Sequence, residues 1–220
     1  MMIASTRPLF EWSWFVTNLD RVGAAVFQHL VLTVIAVLIG LGLSSALAAW
    51  CLRHPARYRR VIEASSLLYT VPSLALFALL APVVGLGYIN ATIALVSYTL
   101  LILVRNIVTG ILQVPSDVVE AAIGMGMTRR RILWTVEVPL ALPVIVAGIR
   151  IATVTVIGLV TVTALLGLGG LGQLILSGFR VLPPFPTLIV VGTGLSVVLA
   201  IAIDLVLLGL QRLATPWQQA

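Results

Sequence analysis

Apolar residues do not alternate with polar ones along this chain; they gather into five long runs, at 23–52, 61–84, 87–112, 139–166 and 187–210. A helix needs about 20 apolar residues, rising 1.5 Å each, to cross a hydrocarbon layer roughly 30 Å thick. Each run meets that length, and several exceed it, which predicts tilt or extension beyond the membrane. A β-barrel would instead show segments of about ten residues with alternating polarity. The pattern therefore predicts an all-α polytopic membrane protein with about five transmembrane helices. Pro72, Pro82 and Pro143 fall inside or near the runs and predict kinks or helix ends. Such breaks are tolerable where neighbouring helices or cavities satisfy the freed carbonyls.

Outside the runs, residues 1–22 mix Trp12, Trp14 and Phe15 with Glu11, Asp20 and Arg21, and read as an interfacial lead-in with aromatic anchors. The late first run and poorly charged start argue against a cleaved signal peptide, with Ala46-Leu47-Ala48 as the one cleavage-like site. Residues 23–212 form the transmembrane domain, interrupted by a long loop at 113–138, and 213–220 a short tail.

Composition agrees with lipid as the main solvent. Hydrophobic residues make up 60% of 220 positions and charged ones 9%, with mean hydropathy +1.17, too little polarity to clothe a soluble domain. The net charge of +6 raises the question of nucleic acid, but the basic residues are all Arg and lie mainly between apolar runs. Their distribution sets orientation instead. Eight Arg (53, 57, 59, 60, 129, 130, 131, 212) fall on one side and three (7, 21, 180) on the other, with Arg105 and Arg150 inside runs. The positive-inside bias then places the first loop, the third loop and the C-terminus in the cytoplasm, with the N-terminus outside. Cys51 stands alone, and His29 and His54 are isolated, so no disulfide or metal-ligand spacing is present.

The third loop carries the most information. Pro115, Ser116 and Asp117 predict a helix start, with Asp117 and Glu120 near the positive end of its dipole, although the Glu of a capping box is missing. Gly124 and Gly126 predict its end, and Arg129-Arg130-Arg131 follows near its negative end. A short cytoplasmic helix with small Ala side chains is expected here, suited to close approach by another backbone.

Glu120-Ala121-Ala122, then Gly126, then Val136-Glu137-Val138-Pro139 resembles the EAA loop of binding-protein-dependent ABC permeases, with Val at both aliphatic positions before Pro139. Further stretches, at 70–75, 105–111, 124–128, 142–150 and 169–172, resemble permeases of osmoprotectant importers, which carry glycine betaine, choline, carnitine or related quaternary amines. The resemblance covers roughly residues 28–210. It implies a type I ABC-importer permease fold in the bacterial cytoplasmic (inner) membrane. It also implies Glu120, Ala121, Ala122, Gly126 and Pro139 as residues of a coupling segment. The implied partners are a cytoplasmic ABC ATPase, a second or sibling permease and an extracytoplasmic binding protein. Methionine-importer permeases share size, span count and EAA loop, and remain the nearest alternative. A channel or stand-alone transporter, and a scaffold without transport, are the other classes.

No catalytic Ser/His/Asp or Cys/His constellation and no Walker A sequence is visible, so no cofactor is expected in this chain and ATP with Mg belongs to the partner. Gly167-Leu168-Gly169-Gly170-Leu171-Gly172 satisfies a dinucleotide fingerprint on paper, but it lacks the flanking strand and the acidic residue about 20 positions on. Gly169, Gly170 and Gly172 read instead as a tight extracytoplasmic turn near a gate or dock. Arg150 and Asp204 are costly charges within apolar runs. Arg150 lies 11 residues after Pro139 and Asp204 lies 8 before Arg212, about 16 and 12 Å from the cytoplasmic ends. Comparable depth makes them a candidate intramembrane pair, with separate partners as the alternative, and Arg105 is expected to snorkel. Tyr69, Phe77, Tyr88 and Tyr98 are aromatic faces of the kind that attract quaternary ammonium groups, or ordinary packing residues.

Overall fold

The computed structural model describes residues 8–216; Arg7, the first seven residues of the interfacial lead-in and the tail residues 217–220 lie outside that range. The described chain is helical: α1 (Trp12–Thr17), α2 (Leu19–Arg53), α3 (Pro55–Thr70), α4 (Ser73–Val84), α5 (Tyr88–Leu112), α6 (Ser116–Gly124), α7 (Arg129–Ile132), α8 (Val138–Val160), α9 (Gly170–Arg180) and α10 (Pro186–Ala214). A π-helical turn, Leu133–Glu137, joins α7 to α8, and a 3₁₀ segment, Thr161–Leu166, extends α8. The stretches Leu19–Arg53, Tyr88–Leu112, Arg129–Leu166 and Pro186–Ala214 are long and apolar enough to cross a membrane; a fifth span results if α3 and α4 count as one.

Helix α2 shows why these elements suit lipid. Val22, Ala25, His29, Leu32, Thr33, Ala36, Ser44, Ala48 and Cys51 are buried at three- and four-residue spacing, while Phe27, Val34, Ile35, Leu38, Ile39 and Leu43 are exposed. Small and polar side chains face inward and large apolar ones outward, the reverse of a soluble helix.

Several expectations need correction. The basic stretch 53–60 is no loop: only His54 is non-helical, and Arg57, Arg59 and Arg60 ride on α3. Arg57 lies over the Trp50 ring, 4.9 Å from its centroid, and Arg59 pairs with Glu63 at 2.7 Å, contacts that let cationic residues occupy a helix. The run 61–84 is two helices, broken at Val71-Pro72. Pro72 supplies no N–H and biases the preceding residue away from helix. Pro143, by contrast, sits inside α8 without ending it. Arg129–Arg131 follow the end of α6, and they also form a one-turn helix of their own, α7, that leads through the π turn into α8. The fourth loop contains an unexpected helix, α9, whose glycines at 170 and 172, directly after Gly169, conceal it in sequence.

The chain divides into two compact units. The first comprises Met1–Ala36, Val71–Val96 and Thr153–Ile203. Its core is Val22, Ala25, Leu171, Leu174, Leu188 and Val191, with Trp14 and Phe185 packed against it. The Glu11 N–H donates to the Thr187 hydroxyl at 2.9 Å, and Trp14 meets Phe185 edge-on, so α1 is tied to the start of α10. Buried Asn90 donates to the carbonyls of Phe77 (3.0 Å) and Gly85 (2.9 Å), fixing the turn between α4 and α5. The second unit comprises Val37–Thr70, Ser97–Ala152 and Asp204–Ala220. Ala48, Cys51, Val104 and Val108 form its core, with Tyr58, Val61 and Ile62 alongside. Here α8 packs closely on α5: a Cβ at Gly148 would lie 2.5 Å from Asn106 Cβ, and one at Gly110 would lie 3.3 Å from Ala141 Cβ. Glycine at such crossings lets helix backbones approach.

Candidate functional site

The 113–138 segment builds its geometry from three local rules. Pro115, with φ −57° and ψ 134°, holds the chain extended before α6, which starts without a side-chain cap and carries Asp117 in its first turn. At the other end, the Gly126 N–H donates to Ile123 O (2.8 Å) and the Met127 N–H to Ala122 O (3.2 Å). This pair of bonds, with Gly126 at φ +75°, is a Schellman stop, and the left-handed position is where glycine costs least. A Cβ at Gly126 would meet nothing within 4 Å, so backbone conformation, not crowding within the chain, calls for glycine there. Thr128 then opens α7 by accepting from the Arg131 N–H at 3.4 Å.

Helix α6 presents mixed chemistry. Ala122 is buried against its own unit while Glu120 and Ala121 face outward, so the two alanines do not share a flank. Val118, Ile123 and Met125 are exposed, Met125 to 69%, as is Trp134 just beyond. Behind α6 lies a cleft of about 360 Å³ whose polar lining is Ser116, Glu120, Arg129 and Glu137. Glu137 is buried; Arg129 Nη1 donates to its Oε1, and Oε2 has no partner among the described residues. Glu120 thus lines the same cleft as Arg129 and Glu137. Pro139 lies two residues past Glu137, at the start of α8. Pro139 cannot donate to Thr135 O and its ring crowds that carbonyl, and the wider π turn immediately before it relieves both.

Arg150 Nε donates to Asp204 Oδ1 (2.8 Å) and Arg150 Nη2 to Asp204 Oδ2 (2.7 Å), a two-pronged bridge between α8 and α10. Arg105 is exposed on α5. In the glycine-rich stretch, Gly167, Gly169 and Gly170 all have φ between 70° and 77°. The Gly170 N–H donates to Gln28 Oε1 at 3.0 Å, a Cβ on Gly169 would collide with that same oxygen, and one on Gly172 with the Thr161 backbone. The loop is therefore strapped onto α2 at the root of α9. Next to Gln28, fully buried His29 reaches Ile157 O through Nε2 at 3.0 Å, while its Nδ1 has no partner among the described residues. Sequence reasoning passed over Gln28 and His29 because their partners lie 142 and 128 residues away. Of the four aromatics, Tyr69 and Tyr98 form an edge-to-face pair at 5.8 Å, Phe77 is buried and Tyr88 is exposed.

Helix α6 is thus an exposed segment of mixed chemistry, stopped at Gly126. Known proteins resemble this chain over most of its length. The profile described as "Binding-protein-dependent transport system inner membrane component" matches residues 38–218. An osmoprotectant import permease protein of Salmonella typhimurium is 36% identical over 208 residues, covering 92% of this chain and 96% of that one. A glycine betaine/carnitine/choline transport system permease protein of Bacillus subtilis is 37% identical over 189 residues, 86% of each chain. Among solved structures, a chain of the MetNI methionine ABC transporter, inward facing, superimposes with TM-score 0.78 over 90% of this chain and 98% of its own, at 21% identity. That last likeness is one of fold.

Proposed function

This chain belongs to the family of binding-protein-dependent transport system inner membrane components, and on that premise we propose that it forms the membrane path of an ATP-driven importer for a quaternary-ammonium osmoprotectant. It is a multi-pass inner-membrane protein with the type I permease fold. The observation that carries the substrate class is the likeness to osmoprotectant permeases over nine-tenths of the chain.

In this reading the chain has no catalytic role of its own. A cytoplasmic ATPase holding ATP and Mg seats α6, with Glu120, Ala121 and the exposed Val118, Ile123 and Met125 as its contact surface. Gly126 sets where α6 stops, and Pro139 sets where the transmembrane helix begins. A second permease copy or a sibling completes the path, and a binding protein delivers substrate to the outer face, where the strapped Gly169–Gly170–Gly172 turn lies. ATP binding can drive transport only by favouring one of two permease conformations over the other.

The test is reconstitution of the permease with its ATPase and binding protein. Expected results are co-purification with the ATPase, hydrolysis stimulated by loaded binding protein, and glycine betaine uptake unaffected by excess methionine. Uptake competed by methionine would move the substrate to the alternative class. Reaction of an Arg130→Cys variant with an impermeant reagent added outside intact cells would place α6 beyond reach of any ATPase and end the importer reading.

A further inference from the structure

Arg150 and Asp204 stand out because nothing in a purely structural role requires them. Arg150 is the only ionisable residue of α8, and Asp204 lies mid-helix in α10. By helix rise they sit about 16 and 12 Å from the cytoplasmic ends, near the middle of a layer roughly 30 Å thick. Yet the bridge is not enclosed by its own chain: the side chains are 24% and 31% exposed. A short Asp side chain cannot snorkel from that depth, and lipid does not solvate charge. Apolar replacement of such a pair is often no less stable, so packing alone does not explain it. The exposed side of the bridge therefore faces water or another polar surface within the membrane.

Resting on the importer reading above, we propose that Arg150 and Asp204 form a station for zwitterions in the transport path, selective for trimethylammonium carboxylates. A zwitterion carries the same two charges as the bridge in opposite order. The Arg150 guanidinium can pass its two N–H bonds from Asp204 to the substrate carboxylate. Asp204 then faces the quaternary ammonium, which has no N–H and is held by charge alone. Partners exchange with no net charge moved, so the site neither traps the substrate nor leaves a bare ion in the membrane. Without substrate the two side chains neutralise each other, and a simple cation such as choline leaves Arg150 without its anion. The station thus favours glycine betaine and carnitine over choline.

Two measurements on the reconstituted importer test this. In R150Q/D204N, whose amides keep the shape without the charges, glycine betaine uptake is expected to fall at least tenfold. The preference over choline should be lost, while the variant still co-purifies with the ATPase. Wild-type uptake and preference in that variant overturn the proposal. The second measurement leaves the bridge intact: Leu208→Cys, one turn from Asp204 on the same face, in a Cys51→Ala background. A membrane-impermeant quaternary-ammonium thiosulfonate should modify it, and glycine betaine should slow the reaction. No modification in any nucleotide state, or modification indifferent to glycine betaine, overturns the proposal, and this arm decides if the double variant fails to assemble. Failure of the importer reading shows separately, as a wild-type complex that hydrolyses ATP but carries no trimethylammonium compound, and the station then falls with it.

Discussion

Gly126 offers the sharpest mechanical test, because two explanations for a glycine at this position predict opposite orders of damage. Its φ of +75° closes α6 through the bonds to Ile123 O and Ala122 O, and a Cβ there meets nothing within the chain. An Ala in the left-handed region costs roughly 1–2 kcal/mol, whereas Asn visits that region readily. A penalty of that size lowers the weight of the closed helix end by about 5- to 30-fold. The assay is ATP hydrolysis stimulated by loaded binding protein, titrated with the ATPase subunit. Gly126→Ala is expected to weaken apparent ATPase affinity by about 5- to 30-fold, and Gly126→Asn by no more than about threefold. Gly126→Trp should insert normally and lose stimulation, since it adds bulk to the same strain. If Ala were harmless and loss simply followed side-chain size from Ala through Asn to Trp, close approach by the partner would be the cause and the backbone explanation refuted.

Three further perturbations probe the scaffold through thermal unfolding in detergent. Arg129→Met strips from buried Glu137 its one side-chain partner among the described residues and should destabilise by about 1–2 kcal/mol, less than for a buried donor because Arg129 is largely exposed; R129M/E137Q should recover most of it. Gly148→Ala drives a methyl into Asn106 and should cost about 1–3 kcal/mol, with no direct effect on α6. Gly169→Ala combines φ +77° with a collision at Gln28 and should cost more than Gln28→Ala, which only frees the Gly170 N–H, about 1 kcal/mol.

Helical runs are legible here because lipid imposes one demand on long stretches, and the large apolar side chains of α2 announce it at every turn. The bounds of α6 could be read for a similar reason, since Pro115 and Gly126 act through their own backbones. What stayed hidden depends on partners distant in the chain or on a broken period. Arg129 and Glu137 are eight residues apart across a π turn, where counting at 3.6 per turn fails. Helix α9 begins with glycines, yet it holds because Leu171 and Leu174 are buried in a shared core. Triple Arg can be read from sequence as following α6, but that Thr128 caps it into a turn of its own cannot. The Arg150–Asp204 bridge differs in kind: equal depth can be counted from sequence, whereas which side of it lies open needs coordinates.

If α6 seats a cytoplasmic ATPase as proposed, the exposed Val118, Ile123, Met125 and Trp134 also set the fate of a copy that never meets that partner. A greasy handle left in the cytoplasm is the kind of surface that chaperones and proteases recognise. Surplus subunits are thus expected to be cleared, and the cell's stock of this chain to follow the supply of ATPase without any dedicated regulator.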